Sequence, residues 1–153
     1  MFITGMRLTD VHSSPQFALG SIGMTYDGKI YKYVQYDTGA GAVAGVAGNV
    51  AYYYAPGGAS AGATSVVTSD LSDSAEVGAG VLQAAMADGE YGWIQIKGPA
   101  TLTPALTAGA DGDPLTPTGA TDGTLDVTAA TTDARCGVAI DASAKIIMCD
   151  FPF

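Results

Sequence analysis

Glycine and proline break this chain so often that no long amphipathic helix can be fitted into it. There are 21 glycines and 7 prolines in 153 residues. Each interior glycine costs a helix roughly 1 kcal/mol against alanine, and proline removes a backbone donor and clashes with the preceding turn. The stretches left between breaks are short and rich in Val, Ile, Tyr and Phe, as in Phe17 to Tyr26, Lys29 to Tyr36, Asn49 to Ala55 and Thr64 to Thr68. Segments of this kind bounded by turn residues read as strands. The predicted fold is therefore mainly β: a small β-barrel or β-sandwich of short antiparallel strands, with long Gly/Ala-rich loops and little helix.

Asp27-Gly28 is a dipeptide favoured by two-residue hairpin turns. Such a turn would pair Tyr26 with Lys29, face Met24 with Tyr31 and Ile22 with Tyr33, and place Tyr31 and Tyr33 on one side of the strand with Ile30, Val34 and Tyr36 on the other. Two later blocks, Gly80 to Lys97 and Gly137 to Phe151, read as similar Gly-Val hairpins. Short strands are expected at Ala100 to Thr103, Pro114 to Thr116 and Gly123 to Thr128. Thr38 to Gly48 and Pro56 to Ala63 read as loops, and Asp70 to Glu76 as at most one helical turn. The length suits one domain, spanning residues 16–153, with residues 1–15 either an extended arm or its first strand.

The formal net charge is -9, with 15 acidic against 6 basic residues, and no basic residue stands between Lys32 and Lys97. A surface this acidic argues against holding nucleic acid through its phosphates and against anionic membranes. It suits either simple solubility or a basic partner surface. No apolar run is long enough to span a membrane, and the first fifteen residues lack the pattern of a secretory signal, so export by a signal peptide is not expected.

Little in the chain points to catalysis. His12 is the sole histidine and lies in a Thr/Ser/Pro-containing N-terminal stretch, so a Ser-His-Asp triad is not expected and a two-histidine metal site cannot be built within one chain; His12 reads as a surface or interface residue. Cys136 and Cys149 match no zinc spacing; a tight turn near Ala142-Ser143 would set them opposite each other, as a disulfide or as two free thiols. Asp111-Gly112-Asp113 and Asp122-Gly123 resemble fragments of calcium loops but lack the full pattern, so Asp-Gly turns are the expectation. Gly39-Ala40-Gly41 and Gly57-Gly58 lack the lysine of a phosphate loop. Trp93, Tyr91 and the run Tyr52, Tyr53, Tyr54 read as core or subunit-interface residues, or as rings on which a sugar stacks. No cofactor is expected.

Leu19-Gly20, the run Asp27 to Val34, the strand Tyr91-Gly92-Trp93-Ile94-Gln95-Ile96-Lys97-Gly98, the turn Gly112-Asp113-Pro114-Leu115 and Gly137-Val138-Ala139 together resemble the capsid decoration (cement) proteins of tailed bacteriophages. The resemblance implies a small mainly-β, non-enzymatic virion protein. Such a protein is assembled in the host cytoplasm and sits on the outer capsid surface, where it stabilises the shell by contacts with the major capsid protein. It also implies a homo-oligomer, with a trimer the favoured form. Candidate capsid or subunit contacts are then Phe2, Ile3, Met6, Leu8 and Val11 in the N-terminal segment, acting as an arm that adds a strand to a capsid sheet. Tyr31, Tyr33, Tyr52, Tyr53, Tyr54, Phe151 and Phe153 complete the set. The alternative is a non-catalytic carbohydrate-binding or host-adhesion head domain.

Overall fold

The computed structural model describes residues 6–56 and 64–152 in full and Phe2 and Ile3 by their backbone. The described residues form eleven strands: β1 (Phe2–Ile3), β2 (Ile22–Met24), β3 (Ile30–Tyr36), β4 (Val50–Tyr54), β5 (Val66–Thr68), β6 (Ser74–Leu82), β7 (Tyr91–Thr101), β8 (Pro114–Thr116), β9 (Asp126–Val127), β10 (Gly137–Asp141) and β11 (Ile146–Asp150). A 3-10 turn, Leu71–Asp73, lies between β5 and β6, with Asp70 as its cap. The mainly-β expectation holds, and the architecture is a closed five-stranded barrel with extra strands.

Closure follows from two long strands that each change partners along their length. One edge of β3 pairs with β2 through residues 30–32 and with β5 through residues 35–36, while its other edge pairs with β7. Likewise β7 gives its first half to β6 and its second half to β11. The barrel therefore runs β3-β5-β4-β6-β7 and back to β3, and the sheet continues outward as β11-β10-β8-β9 on one side and β2-β1 on the other.

Alternation along these strands builds two cores. Val34, Tyr36, Val50, Val67, Ile94, Ile96, Leu115, Ile147 and Phe151 belong to the larger, which extends from the barrel under the appended sheet. Tyr31, Tyr33 and Trp93 point the other way from β3 and β7 and form a second cluster, covered by Met6, Leu8, Phe17 and Tyr91. The two-faced reading of β3 is thus correct, but its register is not. Thr25 pairs with Lys29 through a three-residue loop, Tyr26-Asp27-Gly28, in which Gly28 takes the left-handed conformation at φ +83°. The extra loop residue shifts every partner by one, so Met24 faces Ile30 and Ile22 faces Lys32.

A second register differs for the same kind of reason. Ile140 is an extra residue in β10, between the pairs Ala139 with Ile147 and Asp141 with Ile146. Cys149 consequently lies opposite Gly137, and the position opposite Cys136 falls to Asp150, whose N–H donates to the Cys136 carbonyl. The cysteines are free and buried. The Thr38 to Gly48 loop is present as expected, while Pro56 to Ala63 falls almost wholly outside the described residues.

Candidate interaction surface

The appended sheet has one face in the core and one in solvent, and both are apolar. Ile147, Cys149, Ala139 and Leu115 point inward and are buried. On the opposite face Pro99 of β7 pairs with Met148 of β11, Met148 with Val138 of β10, and Val138 with Pro114 of β8. Four apolar side chains thus stand in one row across four strands, where an antiparallel sheet with a solvated face normally presents polar groups. Met148 and Ile140, two residues beyond Val138, are each 43% exposed. One step along the strands, Lys97 faces Asp150 with their charged groups 2.5 Å apart. The row ends at a cleft of about 400 Å³ lined by Lys29, Gln83, Gln95, Pro99, Thr101 and Ile146.

A second exposed apolar feature is the β2–β3 tip. Tyr26 is fully exposed and Met24 is 53% exposed; Asp27 and Lys29 flank the turn as an ion pair at 3.8 Å. Next to β2 lies β1, paired in parallel, with Phe2 opposite Ile22 and Ile3 opposite Gly23. The N-terminal segment continues over the outside of the barrel. Met6 and Leu8 cover the Tyr31–Tyr33–Trp93 cluster, and Val11 packs on the main core. His12 exchanges two backbone hydrogen bonds with Tyr91, and its Nδ1 lies 2.9 Å from the Tyr33 hydroxyl. The sole histidine therefore pins this segment down. Arg7, Asp10, His12, Gln16, Phe17 and Trp93 border a smaller cavity of about 240 Å³.

Most of the aromatic contact candidates serve the chain's own interior. Tyr31, Tyr33, Tyr52, Tyr53 and Phe151 are buried, which leaves them little surface to offer a partner. Tyr52 is fixed by its hydroxyl, which donates to the Thr124 carbonyl at 2.5 Å and accepts from the Thr124 N–H at 3.0 Å. Tyr54 is half-buried, and the surrounding Asp37, Asp73 and Asp88 add to the desolvation that raises its pKa. Phe2 and Ile3 are placed by backbone only, and Phe153 lies outside the described residues. The outward-facing row Pro99–Met148–Val138–Pro114, with Pro99 and Met148 exposed and Val138 and Pro114 half-buried, had no signal in the sequence beyond the alternation of its strands, because which side faces water depends on what packs beneath.

The acids are mostly tied to turns. Asp70, Asp73, Asp37 and Asp88 accept from the backbone N–H groups of Gly41, Ala40, Gly39 and Thr38. The hydrogen bond from the Ser72 hydroxyl, with those from the Gly41 and Ser72 amides, holds the Asp70 carboxyl below the usual carboxylate range. Asp111 and Asp113 likewise accept from the Ala142 and Ala110 amides. Among the described residues no group of three metal-binding side chains comes together. Burial pushes the Cys149 thiol up to about 12 and the Cys136 thiol in the same direction, which makes both poor nucleophiles.

Fold and surface together define a closed β-barrel protein with an appended sheet and two exposed apolar features. Compared with known proteins, the chain matches no family model, no curated protein and no solved structure.

Proposed function

We propose that this chain is a structural virion protein that binds the outer surface of an assembled phage capsid and stabilises it by protein–protein contacts, with no catalytic step and no cofactor. The observation that carries this reading is the β2–β3 tip, where Met24 and Tyr26 stand clear of a barrel whose own core does not use them. Exposed tyrosines of this kind are the usual anchors of protein interfaces, since they bury a large area at small entropic cost. The neighbouring β1 strand makes the tip and the N-terminal segment one continuous edge. The partner is the major capsid protein, and a basic patch on the shell would complement the net charge of -9.

The test is co-sedimentation with assembled shells of the partner capsid protein, together with the melting temperature of those shells. The protein should pellet with them and raise their melting point, and Tyr26→Ala with Met24→Asp should weaken both effects without unfolding the barrel. Shells that neither bind the protein nor gain stability would sink the proposal.

A glycan-binding head domain is the second reading. Its one support is the cavity beside Phe17, bordered by Arg7, Asp10 and Gln16. The rings first considered for stacking give it little, because Trp93, Tyr52 and Tyr53 are buried. Glycan-array binding abolished by Arg7→Ala would favour this reading over the first.

A further inference from the structure

The outward face of β7, β11, β10 and β8 is, we infer, the surface through which two copies of this chain associate. This gives a location to the homo-oligomer that the resemblance to capsid decoration proteins implies, and it is tested without any capsid. The first ground is the apolar row itself. Pro99, Met148, Val138 and Pro114 are direct cross-strand neighbours on a solvent face, and Ile140 extends them diagonally. Single exposed apolar residues need no explanation, but a contiguous set marks a contact surface.

The second ground is charge, and it selects a second copy as the occupant. Two molecules that each carry -9 repel one another wherever acidic surfaces meet. Asp37, Asp70, Asp73 and Asp88 gather around the loop after β3, at the end of that strand remote from Lys29. Of the six basic residues, Lys32 is buried and Arg7 lies beside the N-terminal cavity. The other four border the apolar row. Lys29 lines the cleft at its end, Lys97 is paired with Asp150 one step along, Arg135 is close enough to help lower the Asp150 pKa, and Lys145 precedes Ile146 and donates to the Thr103 carbonyl.

Against these stand Asp27, Asp141 and Asp150, with Asp111 beside Ala142, Asp113 beside Pro114 and Asp126 opposite Thr116, so four cations offset most of the six acids around this face. Copies meeting there face far less uncompensated acid than at the loop after β3, where Asp37, Asp70, Asp73 and Asp88 gather. A symmetric oligomer repeats such a contact on every subunit.

Sedimentation velocity from low to high micromolar concentration tests the assignment. The wild-type protein should sediment as a defined oligomer, and Met148→Asp should weaken association roughly tenfold or more with unchanged circular dichroism. Val46→Asp, at an exposed apolar position in the loop before β4, should assemble like wild type. Moderate salt should strengthen assembly by screening the repulsion of the whole molecules; docking driven by ion pairs would weaken instead. Should Met148→Asp fail to fold, Ile140→Asp reads the same face. A wild type that stays monomeric at high concentration overturns the inference, as do aspartate variants that assemble like wild type. Capsid binding by a monomeric Met148→Asp protein would leave the proposed function intact, which keeps the two failures apart.

Discussion

The Lys32 ammonium donates to the Tyr53 hydroxyl at 2.7 Å, 5.0 Å above the same residue's ring centroid. Both residues are buried, and among the described residues no carboxylate pairs with Lys32. The amine therefore depends on one neutral oxygen and one ring face. Tyr53→Phe should cost about 1–3 kcal/mol of stability, the penalty for a buried donor left without its acceptor. Lys32→Met with Tyr53→Phe should recover much of that loss, because an apolar pair of similar volume needs no partner. Urea unfolding of the two variants decides the matter; equal losses would show that Lys32 reaches water in the folded state.

Alanine should be tolerated very differently at two glycines. A Cβ on Gly80 would lie 2.7 Å from the Gln95 carbonyl oxygen and 3.1 Å from Ile94 Cβ, where β6 meets β7. Backbone cannot give way cheaply, so Gly80→Ala should cost about 1–3 kcal/mol. Gly28 has open space around it and a left-handed φ. Gly28→Ala should cost only the conformational penalty, roughly 1 kcal/mol, and should leave barrel packing untouched. Thermal unfolding of both variants measures the difference.

The two thiols should be silent in the native protein. Burial raises the pKa of both, and the offset register puts Gly137 rather than Cys136 opposite Cys149. A thiol reagent at neutral pH should label neither until denaturant is added, and reducing agent should leave the melting temperature unchanged. Rapid labelling of the folded protein would contradict the burial of this pair.

Acid should loosen the loop after β3. The Asp70 carboxylate accepts from the Gly41 N–H at 2.7 Å, the Ser72 N–H at 3.0 Å and the Ser72 hydroxyl at 2.6 Å, and its pKa is lowered. A depressed folded value means that this group's contribution is fully present above the unfolded value near pH 3.9. It is lost as pH falls through the lower folded value. Asp70→Asn should therefore destabilise the protein at neutral pH and flatten the fall in stability below about pH 4. Some slope should remain, because Asp27, Asp141 and Asp150 are shifted the same way.

How much was legible in the sequence differs sharply between strands and surfaces. β3, β4 and β8 lie within a residue or so of where Val, Ile, Tyr and Pro-bounded runs put them, because local β preference and burial agree there. Register was less legible. One added residue, Tyr26 in a loop or Ile140 in a strand, moves every partner by one, and composition carries no trace of which residue the ladder will skip. Least legible was the exposed apolar face. Met148 and Ile147 are neighbours of similar character, and only the packing of Ile147 against the core decides which of them meets water.

Barrel closure leaves few loose backbone edges. Among the described residues the two strands that end the sheet, β1 and β9, are only two residues each. Long open edges template further pairing between molecules, and edges this short do not. Copies packed at the density of a protein lattice can then touch through side chains without zipping strand to strand, so crowding that drives other β-rich proteins into fibrils leaves this one as discrete particles.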